Sequence, residues 1–228
     1  MNLEDVKGSY DLYVSLGSWC GPSLNLRRHH LRRFSFPLDW SISNSLSDVN
    51  TLLKTNFYGY MELENLEKTE GFAHFLDDGD AVFAQTGDEH PVTAHFIKDN
   101  FSNIISVHDF PLISGQDWQV RYPLFKETLT NRIQRLYEKL YTSNSVLFLR
   151  WGYASADEMA ELESILMSII PNRFKIVILQ PTEGINDIQD MNFPLAHVCS
   201  VQVPANRPND LEIWDKVLTG FSLTNYHQ

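Results

Sequence analysis

The chain has 228 residues, 43% of them hydrophobic and 12% aromatic, with a formal net charge of −11. That length suits one large domain with its own core, and the excess of acid argues against general nucleic-acid binding. With only Cys20 and Cys199 there is no disulfide framework, which fits a reducing compartment.

The N-terminal stretch MNLEDVKGSY carries no basic region followed by an apolar run, and no apolar run approaches membrane-spanning length. The expectation is a cytoplasmic protein with no membrane contact. Leu12 to Leu16 then reads as a short buried strand. Gly17-Ser18-Trp19-Cys20-Gly21-Pro22 follows, with two glycines for a sharp turn and a proline suited to a helix's first turn. The apolar and basic pattern from Leu24 to Arg33 reads as that helix. Cys20 is thereby placed at a helix N-terminus, where unpaired N–H groups and the helix dipole favour thiolate over thiol. A nucleophilic role is one reading; a packed, inert cysteine is the other.

The run Arg27, Arg28, His29, His30, Arg32, Arg33 is a basic block in an acidic chain, either a solvated helix face or a docking surface for an anionic group. In Phe34 to Trp40, Pro37 stops the helix and Asp39 sits between apolar neighbours as a carboxylate in need of a partner. It either pairs with a nearby arginine or orients a catalytic histidine. Ser47 reads as a cap for a helix from Asp48 to Lys54. Residues 55–100 give an irregular signal, with turn chemistry at Asp77 to Asp80 and a short strand at Ala81 to Gln85; they read as an insertion that covers the site. No calcium loop, zinc spacing, P-loop or dinucleotide fingerprint occurs, so no metal or cofactor is expected.

Beyond residue 100 strands and helices alternate. Ile104 to Val107 reads as a strand ending at His108 and Asp109, and Tyr122-Pro123 opens a long helix. Val146 to Leu149 reads as a strand ending at Arg150 and Trp151, and Ser155 with Glu158 forms a capping box. Lys175 to Leu179 and Ala196 to Val203 read as strands, with His197 and Cys199 structural, and a last helix covers Asp210 to Leu218. The pattern predicts one α/β domain over 1–228, a mostly parallel sheet covered by helices on both faces in three layers. The ends of parallel strands share one edge, where such sheets bind ligands. Cys20, His108, Arg150 and Trp151 are therefore expected to converge. In that arrangement His108 is the base for Cys20, and Asp39 or Asp109 orients it. Ser18, Trp19 and Gly21 line the substrate site, and Arg150 takes an anionic group. Asp109, adjacent to His108 on an extended chain, points away from it, which favours Asp39.

The segments Leu16 to Cys20, Leu26-Arg27-Arg28, Leu31-Arg32, Phe36 to Trp40 and His108-Asp109-Phe110 together resemble the DUF1796 family, whose members are named as papain-like cysteine peptidases. Many members have Phe where this chain has Leu38. The resemblance implies Cys20 as nucleophile and His108 as base, in a thiol hydrolase acting on a peptide, amide or ester. The family name implies a helical half and an antiparallel half, whereas the C-terminal half here reads as parallel α/β. Two other functions compete. One is a serine esterase using Ser18. The other is a transferase or binding module for an anionic sugar or nucleotide, served by the basic block and Arg150.

Overall fold

In the computed structural model, residues 1–85 and 88–224 are described; residues 86 and 87, inside the expected insertion, lie outside them. The protein is α/β, with six α-helices among the described residues and sheets that are partly parallel and partly antiparallel. Leu12–Ser15, Ser145–Trp151, Arg173–Thr182 and Val198–Pro204 lie side by side in chain order, all parallel, with the short Gln189–Asp190 antiparallel at one edge. The strands run longer than their apolar cores because the ladder continues through Arg150-Trp151 and Gln180-Pro181-Thr182.

Every residue of Ser145–Trp151 is buried, as expected of a strand flanked on both sides and covered on both faces. Its side chains alternate between two cores. Val146 and Phe148 face helices Leu46–Lys54, Tyr122–Thr142 and Ala156–Ile169. Leu147, Leu149 and Trp151 face the Leu3, Val6 and Leu26 side chains and helix Leu211–Leu218 with its buried Trp214. Fully burying a side chain such as Leu149 or Phe148 is worth about 1.5–3 kcal/mol. The capping box at Ser155 and Glu158 and the Asp210 cap hold the last two helices where their sequences place them. Ser45, not Ser47, caps the helix that starts at Leu46.

The expectation fails at the second strand. Ile104–Pro111 is not in the parallel sheet. It forms a separate antiparallel sheet with Ser41–Ile42, Thr93–Asp99 and Leu66–His74. Residues 55–100 are thus irregular only in part: they supply two of this sheet's four strands, and the two-residue pair Leu76–Asp77 with Asp80–Ala81 is what stands where a short strand was expected at Ala81 to Gln85. The apolar run Ile104 to Val107 fits either kind of strand, and hydrophobicity alone does not choose a partner. Ile97, Ile104 and Phe110 pack this second sheet into the same core as Phe148.

Candidate active site

The turn that presents Cys20 is built as its sequence suggests. Gly17 and Ser18 both have positive φ, +72° and +77°. Ser18 accepts this left-handed backbone because it is pinned: its N–H donates to Ser43 Oγ at 2.8 Å and its carbonyl accepts from Ser43 N at 3.1 Å. The helix Gly21–Arg28 follows, with Cys20 at its N-cap and Pro22 in its first turn. It stops at His29 because His30 turns left-handed, short of the expected Arg33. The N–H groups of Gly21 and Ser23 donate to no carbonyl or side chain among the described residues, as expected of a free helix N-terminus.

The thiol itself does not behave as the sequence predicts. Cys20 is half-buried, and burial pushes its pKa up; its own backbone N–H pulls the other way and loses. That direction favours the thiol over the thiolate at neutral pH. An N-cap placement lowers a thiol pKa only where burial does not outweigh it. Cys199 is fully buried in a strand, its thiol pushed to about 12, which fits its structural reading.

His108 stands on the antiparallel strand at a bulge. Ile97 pairs with Ser106 and His95 with Phe110, so Val107, His108 and Asp109 together oppose the single residue Phe96. Bulges re-aim side chains, and this one turns His108 out of the core against Trp40, edge to face at 6.1 Å. His108 Nδ1 lies 2.6 Å from the His74 carbonyl oxygen. A carbonyl only accepts, so Nδ1 carries the proton. Burial lowers the pKa of His108. The imidazole is therefore neutral with its lone pair on Nε2, the state a general base needs.

Neither expected carboxylate does this orienting. Asp39 is 1% exposed and accepts from Ser23 Oγ at 2.9 Å, Phe36 N at 2.9 Å and the Arg32 guanidinium at 3.2 Å. Burial pushes its carboxyl up, opposed by the Arg32 charge. Asp109 accepts from Ser106 Oγ at 2.7 Å and Arg132 at 3.2 Å. Both are scaffold carboxylates. A backbone carbonyl contributed by a different strand leaves no mark in sequence, so His74 was invisible there. The basic block is also spoken for. Arg27 pairs with Asp80, Arg28 with Asp215, Arg32 with Asp39 and Asp78, and Arg33 donates to the Thr224 carbonyl. Its docking reading is not supported, because nearby acids and a carbonyl take those donors. Arg150 is fully buried rather than lining the surface, and donates to Leu16 O and Ser43.

Cys20 itself lines no cleft, but two clefts are lined by residues close to it in the chain. One, of about 860 Å³, is lined by Leu24, Phe72, His74, Thr93, His108 and Asn209. The other, of about 520 Å³, is lined by Ser18, Trp19, Trp151, Gly152, Tyr153 and Asn209 among others. Trp19 precedes Cys20, Leu24 lies one helical turn after it, and Asn209 borders both hollows. No hydrogen bond joins Cys20 to His108 in this resting state. Gly21 is small because a side chain there would run into the Trp19 ring, at 2.1 Å.

A model of one protein family matches residues 11–184, a span that holds both Cys20 and His108. The chain belongs to the DUF1796 family. The family's description is "Putative papain-like cysteine peptidase (DUF1796)". A relative from Acanthamoeba polyphaga mimivirus, "Uncharacterized protein R408", is 25% identical over 171 residues, covering 72% of this chain and 74% of its own length. No solved structure matches the chain. In this DUF1796 protein the described residues contain no group of three or more His, Cys, Asp or Glu side chains able to hold a metal ion. No helix among them is long and apolar enough to cross a membrane.

Proposed function

We propose that this DUF1796 protein is a cysteine hydrolase of peptide bonds, with Cys20 as nucleophile and His108 as general base. The observation that carries the reading is the tautomer of His108. Its Nδ1–H is anchored on the His74 carbonyl, so Nε2 is a free base on the wall of a cleft that Leu24 shares, one turn from Cys20. Burial raises the pKa of the thiol and lowers that of the imidazole, which favours the neutral form of both. The mechanism is therefore general-base catalysis, not attack by a preformed thiolate.

When substrate draws the two groups together, Nε2 takes the Cys20 proton as sulfur bonds to the carbonyl carbon. The oxyanion lies toward the free N–H groups of Gly21 and Ser23. As the C–N bond breaks, the imidazolium returns the proton to the leaving amine. Water then hydrolyses the thioester, with His108 again as base. A catalytic hydrogen bond that forms only with substrate is common.

The test is cleavage of a mixed peptide pool followed by mass spectrometry. New termini produced by the wild type and abolished in Cys20→Ala and His108→Ala support the reading. Cleavage that survives Cys20→Ala sinks it.

A further inference from the structure

The smaller cleft, of about 520 Å³, is lined by neither Cys20 nor His108. It sits where the parallel strands end. Ser18 and Trp19 follow Leu12–Ser15, Trp151 closes Ser145–Trp151, Pro181 is next to last in Arg173–Thr182, and Ala205 follows Val198–Pro204; all five line the cleft. The carboxyl edge of a parallel sheet is where α/β proteins bind ligands, and the volume falls in the range of about 300–1,000 Å³ usual for small-molecule sites.

The lining decides the chemistry. It includes no charged side chain. Much of it is aromatic: Trp19 meets Trp151 edge to face at 6.5 Å, and Tyr153, 73% exposed, lines the same hollow. The remaining polar side chains are the Ser18 hydroxyl and the Asn44 and Asn209 amides, each able to donate and to accept. None of the three makes a side-chain hydrogen bond among the described residues. Ser18 holds its hydroxyl on a left-handed backbone. A Cβ built on Gly152 would stand 3.1 Å from Ser18 Oγ, and Gly152 does not have the positive φ that calls for glycine, so its missing side chain matters as space beside that hydroxyl.

An ionised ligand would shed its hydration here and meet no counter-charge, and the chain's net charge of −11 repels anions further. A wholly apolar ligand would strip water from three hydrogen-bonding groups and return nothing. A peptide amide offers one donor and one acceptor in line, whereas three separate donor–acceptor groups match a rim of hydroxyls. A pyranose has that rim and an apolar C–H face to lay on an aromatic ring. We propose that this cleft binds a neutral sugar, its C–H face against Trp19 and Tyr153 and its hydroxyls on Ser18, Asn44 and Asn209. This is a binding function separate from the reaction assigned to Cys20, and it stands or falls without it.

The test is saturation-transfer NMR on the full chain with methyl β-glucoside, methyl β-galactoside, methyl α-mannoside and N-acetylglucosamine, set against glucuronate and N-acetyl-phenylalaninamide. At least one neutral sugar should bind with a Kd of about 1 mM, ordinary for a ligand of about a dozen heavy atoms. Glucuronate should bind at least about tenfold more weakly. Tyr153→Ala should abolish sugar binding, and Asn44→Ala should weaken it about two- to tenfold, the worth of one hydrogen bond. Both side chains are exposed, so both variants should fold. Phe72→Ala, on the other cleft, should bind as the wild type does. Binding by none of the sugars, glucuronate binding as tightly, binding of the phenylalaninamide alone, or a loss in Phe72→Ala that Tyr153→Ala does not show overturns the inference.

Discussion

The protonation state of Cys20 can be tested without a substrate. If burial holds the thiol above its ordinary value of 9.0, then at pH 7 fewer than about one sulfur in a hundred is thiolate. Iodoacetamide reacts with the thiolate, so its rate at Cys20 should climb about tenfold per pH unit from pH 6 to pH 9 without levelling off. Because no hydrogen bond ties Cys20 to His108 at rest, His108→Ala should leave this profile unchanged. Cys199 gives an internal control: fully buried, with its thiol pushed to about 12, it should label only once urea unfolds the chain. Peptide mapping by mass spectrometry reads both sites from one sample. A rate at Cys20 that is flat from about pH 5 to 8, and falls in His108→Ala, would mean a resting thiolate–imidazolium pair and would refute the argument from burial.

His108→Ala should lower kcat/KM by about 10²- to 10⁴-fold, the usual worth of a positioned base, whereas Asp109→Asn should change kcat/KM little and cost about 1–3 kcal/mol of stability through its bonds to Arg132 and Ser106. Equal kinetic damage from both would restore Asp109 as the orienter. The acid limb of kcat/KM should lie below 6.5, because burial lowers the His108 pKa and the neutral base persists as pH falls past that value; a limb above 6.5 contradicts the burial assigned to it. Asp39→Ala strips Arg32, Ser23 and the Phe36 N–H of their buried acceptor, so urea melts should show a loss of about 3–5 kcal/mol; a loss below about 1 kcal/mol would show that the pair is not held as described. Gly17→Ala forces a side chain into φ +72° with its Cβ 3.0 Å from Ser43 Oγ, and should cost about 1–2 kcal/mol by the same assay; wild-type stability would mean the turn is not built this way.

Much of the scaffold was legible because its signals are local. The alternation of Val146, Leu147, Phe148 and Leu149 between two cores, the Ser155–Glu158 capping box and the Pro22 and Pro123 helix starts each depend on a few consecutive residues. Strand partnership depends on distant chain. Ile104–Pro111 has the same apolar character as the parallel strands and joins a different sheet. Its bulge, which aims His108, exists only in the register with Thr93–Asp99.

Sequence alone thus fixed the sharp turn that sets Cys20 at a helix start, and the run of parallel strands in the C-terminal half, since backbone sterics and side-chain periodicity act over a few residues. Tertiary structure alone decided that burial raises the Cys20 pKa, that a backbone carbonyl and not a carboxylate holds His108, and that Arg150 lies buried with no carboxylate paired to it among the described residues. Each of those outcomes is set by desolvation and by neighbours that come from elsewhere in the chain, and neither quantity exists until the chain has folded.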